Sequence, residues 1–521
     1  MHHGPRGNAV VIGSGVGGLA AAGFLAKDGW AVTVYERAWQ PGGLVAPRRV
    51  GEFRFDGGLY HVGGCREGGV THALLGELGV DAGALFTELD PEGFDRYRFP
   101  GMEVAVCRGS RAYRDRLVAL FPHEREGLHE LWLLIEAVGR LERTLASPDG
   151  RAHVPMDLAF AVEVPALLRW SRATLGEVLE RFIDDPKLRA VLAGGTGEYG
   201  LPPSRASAFG AFSVMAHYAD GAWFPRGGSG ALRDELLDAV TRLGVRVVTG
   251  ATVRSVEVKE AVATAVFVGD ERVEAEVVIS DADPAVTLGR LVPPDALTGR
   301  ARRRVARARP SLSACVLHLG MRRTLDGSGL GRSDLRVYPD WDLEALYAPL
   351  LRGELPESMA LFISPGSLKE GSGALCPPGC STLEVTTLAP WEPFARFAQT
   401  PPGERGPAWD ELTRRVEESM LRALEAALPG VVGDVDVKEL LTPLDFAADG
   451  GELEGGLYGP AMTPGYWGVA GLGTRTPVDG LLLAGAGVLG AGVASSLLSG
   501  RLAALRARED DEAMRVPVPL F

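Results

Sequence analysis

Two stretches, one near each end of the chain, run from apolar residues through a glycine-rich turn into a second apolar segment. In residues 10–37, Val10, Val11 and Ile12 form an unbroken apolar run, as a parallel strand buried on both faces requires. Gly13, Gly15 and Gly18 follow, and residues 19–27 read as a helix that Asp28 and Gly29 end. Residues 30–35 then alternate as a second strand. In residues 481–501 the same order returns: Leu481, Leu482 and Leu483, a turn with Gly485, Gly487 and Gly490, and a second helix.

Between these ends the pattern changes several times. A loop with Pro225, Gly227, Gly228 and Gly230 precedes a helix over 232–243 and a strand over 245–249. Residues 253–258, 262–268 and 273–280 alternate as a β-meander that stops at Asp281, Asp283 and Pro284. Residues 76–223 read as mostly helical. Leu128, Leu131, Trp132, Ile135, Val138 and Leu141 recur at helical spacing over 126–145, and Val178, Leu179 and Phe182 continue the pattern over 175–192. Residues 312–319 and 381–388 read as strands, and 409–428 as an amphipathic helix. The chain thus divides into a discontinuous unit (7–75, 224–290, 474–508) and inserted segments (76–223, 291–473). The expected class is α/β: a Rossmann-type domain carrying an inserted α+β substrate domain.

The spacing of Gly13, Gly15 and Gly18 is G-x-G-x-x-G. The first glycine permits a tight turn, the second a close approach of backbone to a pyrophosphate, and the third close packing of helix on strand. The helix that follows presents amides and a dipole to an anion. Glu36 ends the second strand, where its carboxylate accepts ribose hydroxyls and repels a 2′-phosphate, favouring FAD or NAD over NADP. Gly42 and Gly43 follow soon after, then Asp56, Gly57 and Gly58. This second glycine pair resembles FAD-binding glutathione-reductase-like flavoproteins. The C-terminal turn also has the G-x-G-x-x-G spacing, but too little chain follows for a separate nicotinamide domain. Nicotinamide would have to visit the flavin, or the electrons would come from another donor or go to oxygen or quinone.

Composition narrows the partners. The 521 residues carry a net charge of −13, which leaves no basic footprint for nucleic acid. Five scattered cysteines make no disulfide framework, so a cytoplasmic location is the expectation. Cys376 and Cys380 form the one close pair; without a second Cys/His pair nearby they read as a loop, and no metal site is expected. Residues 7–26 and 480–500 carry no charge over nearly a membrane span, yet each contains the strand–turn–helix break. Residues 159–172, with Phe160, Leu167, Leu168 and Trp170 beside Arg169 and Arg172, suit either peripheral contact with a bilayer or packing against a substrate tunnel.

Taken in order, these motifs resemble the phytoene desaturase, carotenoid isomerase and retinol saturase group of FAD-dependent oxidoreductases over nearly the full length. The matching stretches are 55–63, 199–204, 225–230, 278–284, 456–459 and 476–485. The resemblance implies FAD held by Gly13, Gly15, Val16, Gly17, Gly18, Glu36 and Arg37, and by Gly42, Gly43, Leu44 and Gly58. It places backbone near Val253 at the adenine, and Gly485, Ala486, Gly492 and Val493 in the C-terminal element at the flavin. Helix-terminal amides in that last turn would stabilise a reduced flavin's negative charge. It also implies an apolar tunnel for a lipophilic polyene, carotenoid or retinoid-like substrate whose double bonds are added, removed or isomerised.

The chain departs from the group's pattern in three places. Ala486 stands where many relatives have Asp, Tyr60 and His61 come in the reverse of the retinol saturase order, and Leu44, Val45 and Ala46 offer no charge. These departures argue against retinol itself. Hydride transfer needs no catalytic side chain beyond positioning. His61 and Tyr60 are the first candidates for a proton-transfer role, followed by His217 with Tyr218 and Glu198 with Tyr199. For each pair a hydrogen-bonded structural role is the favoured reading. Three other readings stay open: redox-neutral isomerisation with reduced FAD, amine oxidation, and a non-catalytic lipid or prenyl carrier. Intact Gly13, Gly15, Gly18 and Glu36 count against the carrier.

Overall fold

Strand Asn8–Ile12 lies at the centre of a five-stranded parallel sheet, and its apolar run is buried as its continuous hydrophobicity requires. The computed structural model describes residues 6–145, 167, 169–449, 451, 453–465 and 473–508. Across the sheet the order is Leu481–Leu483, Val277–Ser280, Asn8–Ile12, Ala31–Tyr35 and Arg246–Val248. Three segments distant in sequence therefore meet as neighbouring strands.

Helix Val16–Lys27 leaves the turn after the central strand and packs along helix Val493–Ala507. Small residues permit this approach. A Cβ added at Gly500 would lie 2.4 Å from the Gly17 carbonyl and 2.7 Å from the Ala21 amide nitrogen. Gly500→Ala is expected to cost about 1–3 kcal/mol through overpacking. It should lower the thermal midpoint; an unchanged midpoint would show that the helices separate freely.

The meander over 253–280 is not continuous. Val253–Lys259, Val262–Val268 and Glu271–Glu274 form an antiparallel sheet, after which the chain crosses over and Val277–Ser280 joins the parallel sheet. The burial pattern explains the split: Glu271–Glu274 is largely exposed, whereas all four residues of Val277–Ser280 are buried.

The region read as mostly helical also supplies strands: Phe86–Glu88 pairs with Trp223–Pro225, and two more join a larger sheet. Asp95–Phe99 and Met102–Val106 complete a seven-stranded sheet with Asp334–Val337, Leu361–Ser364, Ser381–Ala389, Ser313–Met321 and Val435–Leu441. Both inserted segments thus share one sheet. Helix Arg125–Leu145 buries Leu128, Leu131, Trp132, Ile135 and Val138 against helix Ala208–His217. The helix expected over 175–192 is two, Leu175–Phe182 and Pro186–Leu192. Ile183 is extended between them, and Asp185 caps the second helix while Pro186 occupies its first turn.

Among the described residues no helix is long and apolar enough to cross a membrane. Most of the stretch considered for a bilayer interface (159–166 and 168) lies outside the described residues.

Candidate active site

The glycine turn after the central strand is built around one carboxylate. A Cβ at Gly15 would sit 2.4 Å from Asp281 Oδ2, and one at Gly17 would sit 2.5 Å from both Asp281 Oδ1 and the Gly485 amide nitrogen. Asp281 follows strand Val277–Ser280 and accepts from the Gly15 and Gly18 amides, tying the second of the three segments to the first. Burial pushes its carboxyl up to about 7, against those amides and with help from the Glu36 charge. Below about pH 7 Asp281 is uncharged; above it a carboxylate faces the place prepared for a diphosphate. FAD affinity should therefore fall by up to about tenfold between pH 6 and 8. Asp281→Asn should flatten that dependence in a fluorescence titration of apoprotein, and a pH-independent wild-type affinity would contradict the assignment.

Gly13, Gly15, Val16, Gly17, Glu36 and Arg37 line one end of a cavity of about 700 Å³, and Val253 borders the same end beside Ile12 and Tyr35. Gly18 and Gly485 stand behind this wall rather than in it. Gly18 packs on the Gly13 carbonyl, and Gly485 packs on Asp281. Gly42, Gly43, Leu44 and Gly58 border the cavity along one side, and Ala486, Gly492 and Val493 along another, where helix Val493–Ala507 begins. Glu36 accepts the Ser14 amide and hydroxyl on one oxygen and the Ala38 amide on the other. That uses three of about four lone-pair sites and fixes the carboxylate at the cavity edge. Arg37 reaches the Ala448 carbonyl at 2.7 Å.

A tight glycine turn at a helix N-terminus, a fixed carboxylate after the second strand and a second helix N-terminus suit a diphosphate, a ribose and an electron-rich ring respectively. These residues fit FAD.

Beyond the turn the cavity widens into a chamber with apolar walls that include Phe209, Val214, Leu346, Leu350, Leu361 and Phe362. Tyr60 and His61 lie in its wall. The Tyr60 hydroxyl pairs with Thr386 at 2.6 Å, and burial raises its pKa far above the ordinary phenol range. Tyr60 is thus a hydrogen-bonding group and not a proton source. His61 Nδ1 lies 2.7 Å from Asp334 Oδ2, and Lys369 Nζ lies 2.8 Å from Asp334 Oδ1; both Asp334 and Lys369 are fully buried. Burial pushes Asp334 upward, but the Lys369 ammonium and the His61 bond outweigh it and keep the carboxylate ionised.

The other candidate pairs separate. His217 Nε2 accepts the Gly63 amide at 3.0 Å, and burial lowers its pKa to about 4, so it is a neutral structural acceptor. Tyr218 packs edge-on against the His61 ring. Glu198 lines the chamber and bonds Arg336, whereas Tyr199 is buried among the helices.

Asp334, Arg336, Lys369 and Asp95 escaped the sequence reading. They occupy strands and a short helix that the hydrophobic pattern did not predict: Asp95 lies in a region read as helical, and no element was expected over Asp334–Val337 or Gly366–Glu370. One available signal was the charge pair Asp334 and Arg336 within a strand otherwise facing a core. His61, Asp95 and Glu198 come close enough together to suggest a metal, but Arg336 bridges the two acids and supplies the positive charge there.

The profile of the family described as flavin containing amine oxidoreductase matches residues 16–375. The chain belongs to that family. It is accordingly an FAD-dependent oxidoreductase. The all-trans-retinol 13,14-reductase of Danio rerio is 27% identical over 94% of this chain and 84% of its own length. The phytoene dehydrogenase of Streptomyces griseus is 30% identical over 96% of this chain and 95% of its own. The fold is similar to that of putrescine oxidase bound to putrescine, with a TM-score of 0.62 at 19% identity, covering 96% of this chain and 98% of that one.

Proposed function

We propose that this family member acts on carbon–carbon bonds of a lipophilic polyene, saturating or desaturating them. The observation that carries the reading is the chamber beyond the glycine turn. Its walls are largely apolar, and the acid facing it beyond the turn, Glu198, is already bonded to Arg336. Burial pushes Glu198 upward, but Arg336 and His61 together outweigh it and keep the carboxylate ionised and paired. A cationic amine would have to break that pair, whereas a polyene gains about 25 cal/mol for each Å² of apolar surface removed from water.

FAD, when bound, supplies hydride transfer. The chain's own part is to hold the diphosphate at Gly13, Gly15 and Gly17, anchor the ribose at Glu36, and keep the chamber free of water. A polyene needs an entry path, and peripheral contact with a membrane would provide one. Anaerobic additions to oxidised holoprotein test the substrate class. Phytoene is expected to bleach the flavin band or lycopene to reoxidise dithionite-reduced flavin, while putrescine leaves the spectrum unchanged. Bleaching by putrescine alone would replace this reading with amine oxidation.

A further inference from the structure

Behind the chamber lies a second, smaller cavity of about 60 Å³. His61, Glu198, Val214, Tyr218 and Arg336 line both spaces and so form the partition between them. That volume holds about two waters. Asp95 lines the small cavity; its Oδ2 accepts from Arg336 Nε at 2.8 Å, while its buried Oδ1 has no hydrogen-bond partner. A buried carboxylate oxygen left without a donor is costly unless water or a proton satisfies it.

The charges around this partition do not balance. Lys369 and Arg336 face three carboxylates, Asp334, Glu198 and Asp95, in direct contact. Beyond Lys369 lie Asp56 and Glu384. Burial raises Asp56 and, together with the Asp56 charge, pushes Glu384 well above the ordinary carboxylate range, so Glu384 keeps its proton and the pair brings no positive charge to the partition. The remaining neighbours of His61, namely His217, Tyr218 and Phe94, bring no positive charge. One further proton within the cluster reduces the imbalance, and His61 and Asp95 are the groups placed to carry it.

Asp334, ionised and bonded to Lys369, accepts the Nδ1 proton of His61. The imidazole is thereby oriented with Nε2 as its exchanging atom, 3.9 Å from Glu198 Oε1. We propose that this partition is the proton-transfer apparatus of the carbon–carbon reaction. His61 Nε2 is the catalytic acid or base. Asp334 and Lys369 are positioning residues that set its tautomer, and Asp95 refills it through water in the small cavity.

The inference rests on the polyene reading above. In saturation, reduced FAD, when bound, would supply a hydride to one carbon of the double bond, and His61 would give its Nε2 proton to the neighbouring carbon. Two C–H bonds form, the π bond is lost, and oxidised flavin and a neutral imidazole remain. A proton from Asp95 then restores the ring, and solvent restores Asp95. Desaturation runs the same transfers backwards. Burial pushes Asp95 up to about 6 against the pull of Arg336. A relay fed by its protonated form should slow saturation as pH rises through about 6.

The test combines kinetics with a readout independent of turnover. Holoprotein is reduced with dithionite, mixed anaerobically with lycopene (or, for desaturation, oxidised holoprotein is mixed with phytoene), and followed by flavin absorbance. His61→Gln should retain FAD and slow the reaction by about 100-fold or more. Asp95→Asn should remove the pH limb near 6. In ¹⁵N-histidine NMR of oxidised holoprotein, the His61 signal, assigned by its loss in His61→Gln, should show a protonated Nδ1, and Asp334→Asn should alter that tautomer. A His61→Gln rate within threefold of wild type, or an unprotonated Nδ1, overturns the relay alone. A wild type that turns over neither polyene overturns the functional reading and the relay with it.

Discussion

Gly18→Ala is expected to yield a folded protein that purifies colourless. A Cβ at Gly18 would lie 2.2 Å from the Gly13 carbonyl oxygen, a backbone atom that no rotamer change can move. Gly13 is itself held at φ +96°, so the collision cannot relax without reshaping the turn. Gly15 and Gly17 would be displaced with it, and with them the amides offered to a diphosphate. The loss should be at least about 100-fold in FAD affinity, or about 2.7 kcal/mol. It is read as the ratio of flavin to protein absorbance after purification and as the affinity of apoprotein for added FAD. Gly76→Ala is the control: its helix position has open space where the Cβ would point. Gly18→Ala with wild-type colour would separate the turn from the cofactor.

Lys369→Met should produce the largest loss of stability. Its ammonium sits fully buried between Asp334 and Ser364, with the Phe224 ring 4.4 Å away. Removing it leaves Asp334 charged, buried and short of its principal counter-ion. Breaking a buried pair from one side costs about 3–5 kcal/mol. Urea unfolding followed by tryptophan fluorescence measures the change. Lys369→Met combined with Asp334→Asn should recover part of the loss, because the stranded charge is then gone. A single substitution within about 1 kcal/mol of wild type would mean that water reaches Asp334.

The sequence made the cofactor half legible because local rules govern it. A buried parallel strand, a glycine turn and an acid after the next strand must follow one another within a short stretch. Gly13 to Glu36 therefore carries its meaning without the rest of the chain. Asp281 was visible only as the acid that ends a strand, since its packing under Gly15 and Gly17 depends on a sheet joined from distant segments.

The partition behind the chamber was less accessible still. His61 stood out by residue type, but Asp334 lies 273 residues away and Lys369 sits on a five-residue helix. No spacing rule links residues that meet only through a seven-stranded sheet assembled from both inserted segments. The same sheet explains why residues 95–106 were read with their helical neighbours: a strand pair whose partner is Asp334–Val337 has no partner within its own region of the sequence.

The most direct test of the account is the mass of a polyene after anaerobic incubation with the holoprotein. Lycopene with the dithionite-reduced form should gain two hydrogens, or phytoene with the oxidised form should lose two, with matching change in the flavin spectrum. Unchanged masses with both, whether or not the absorption maximum of the polyene moves, would contradict oxidoreduction at a polyene carbon–carbon bond.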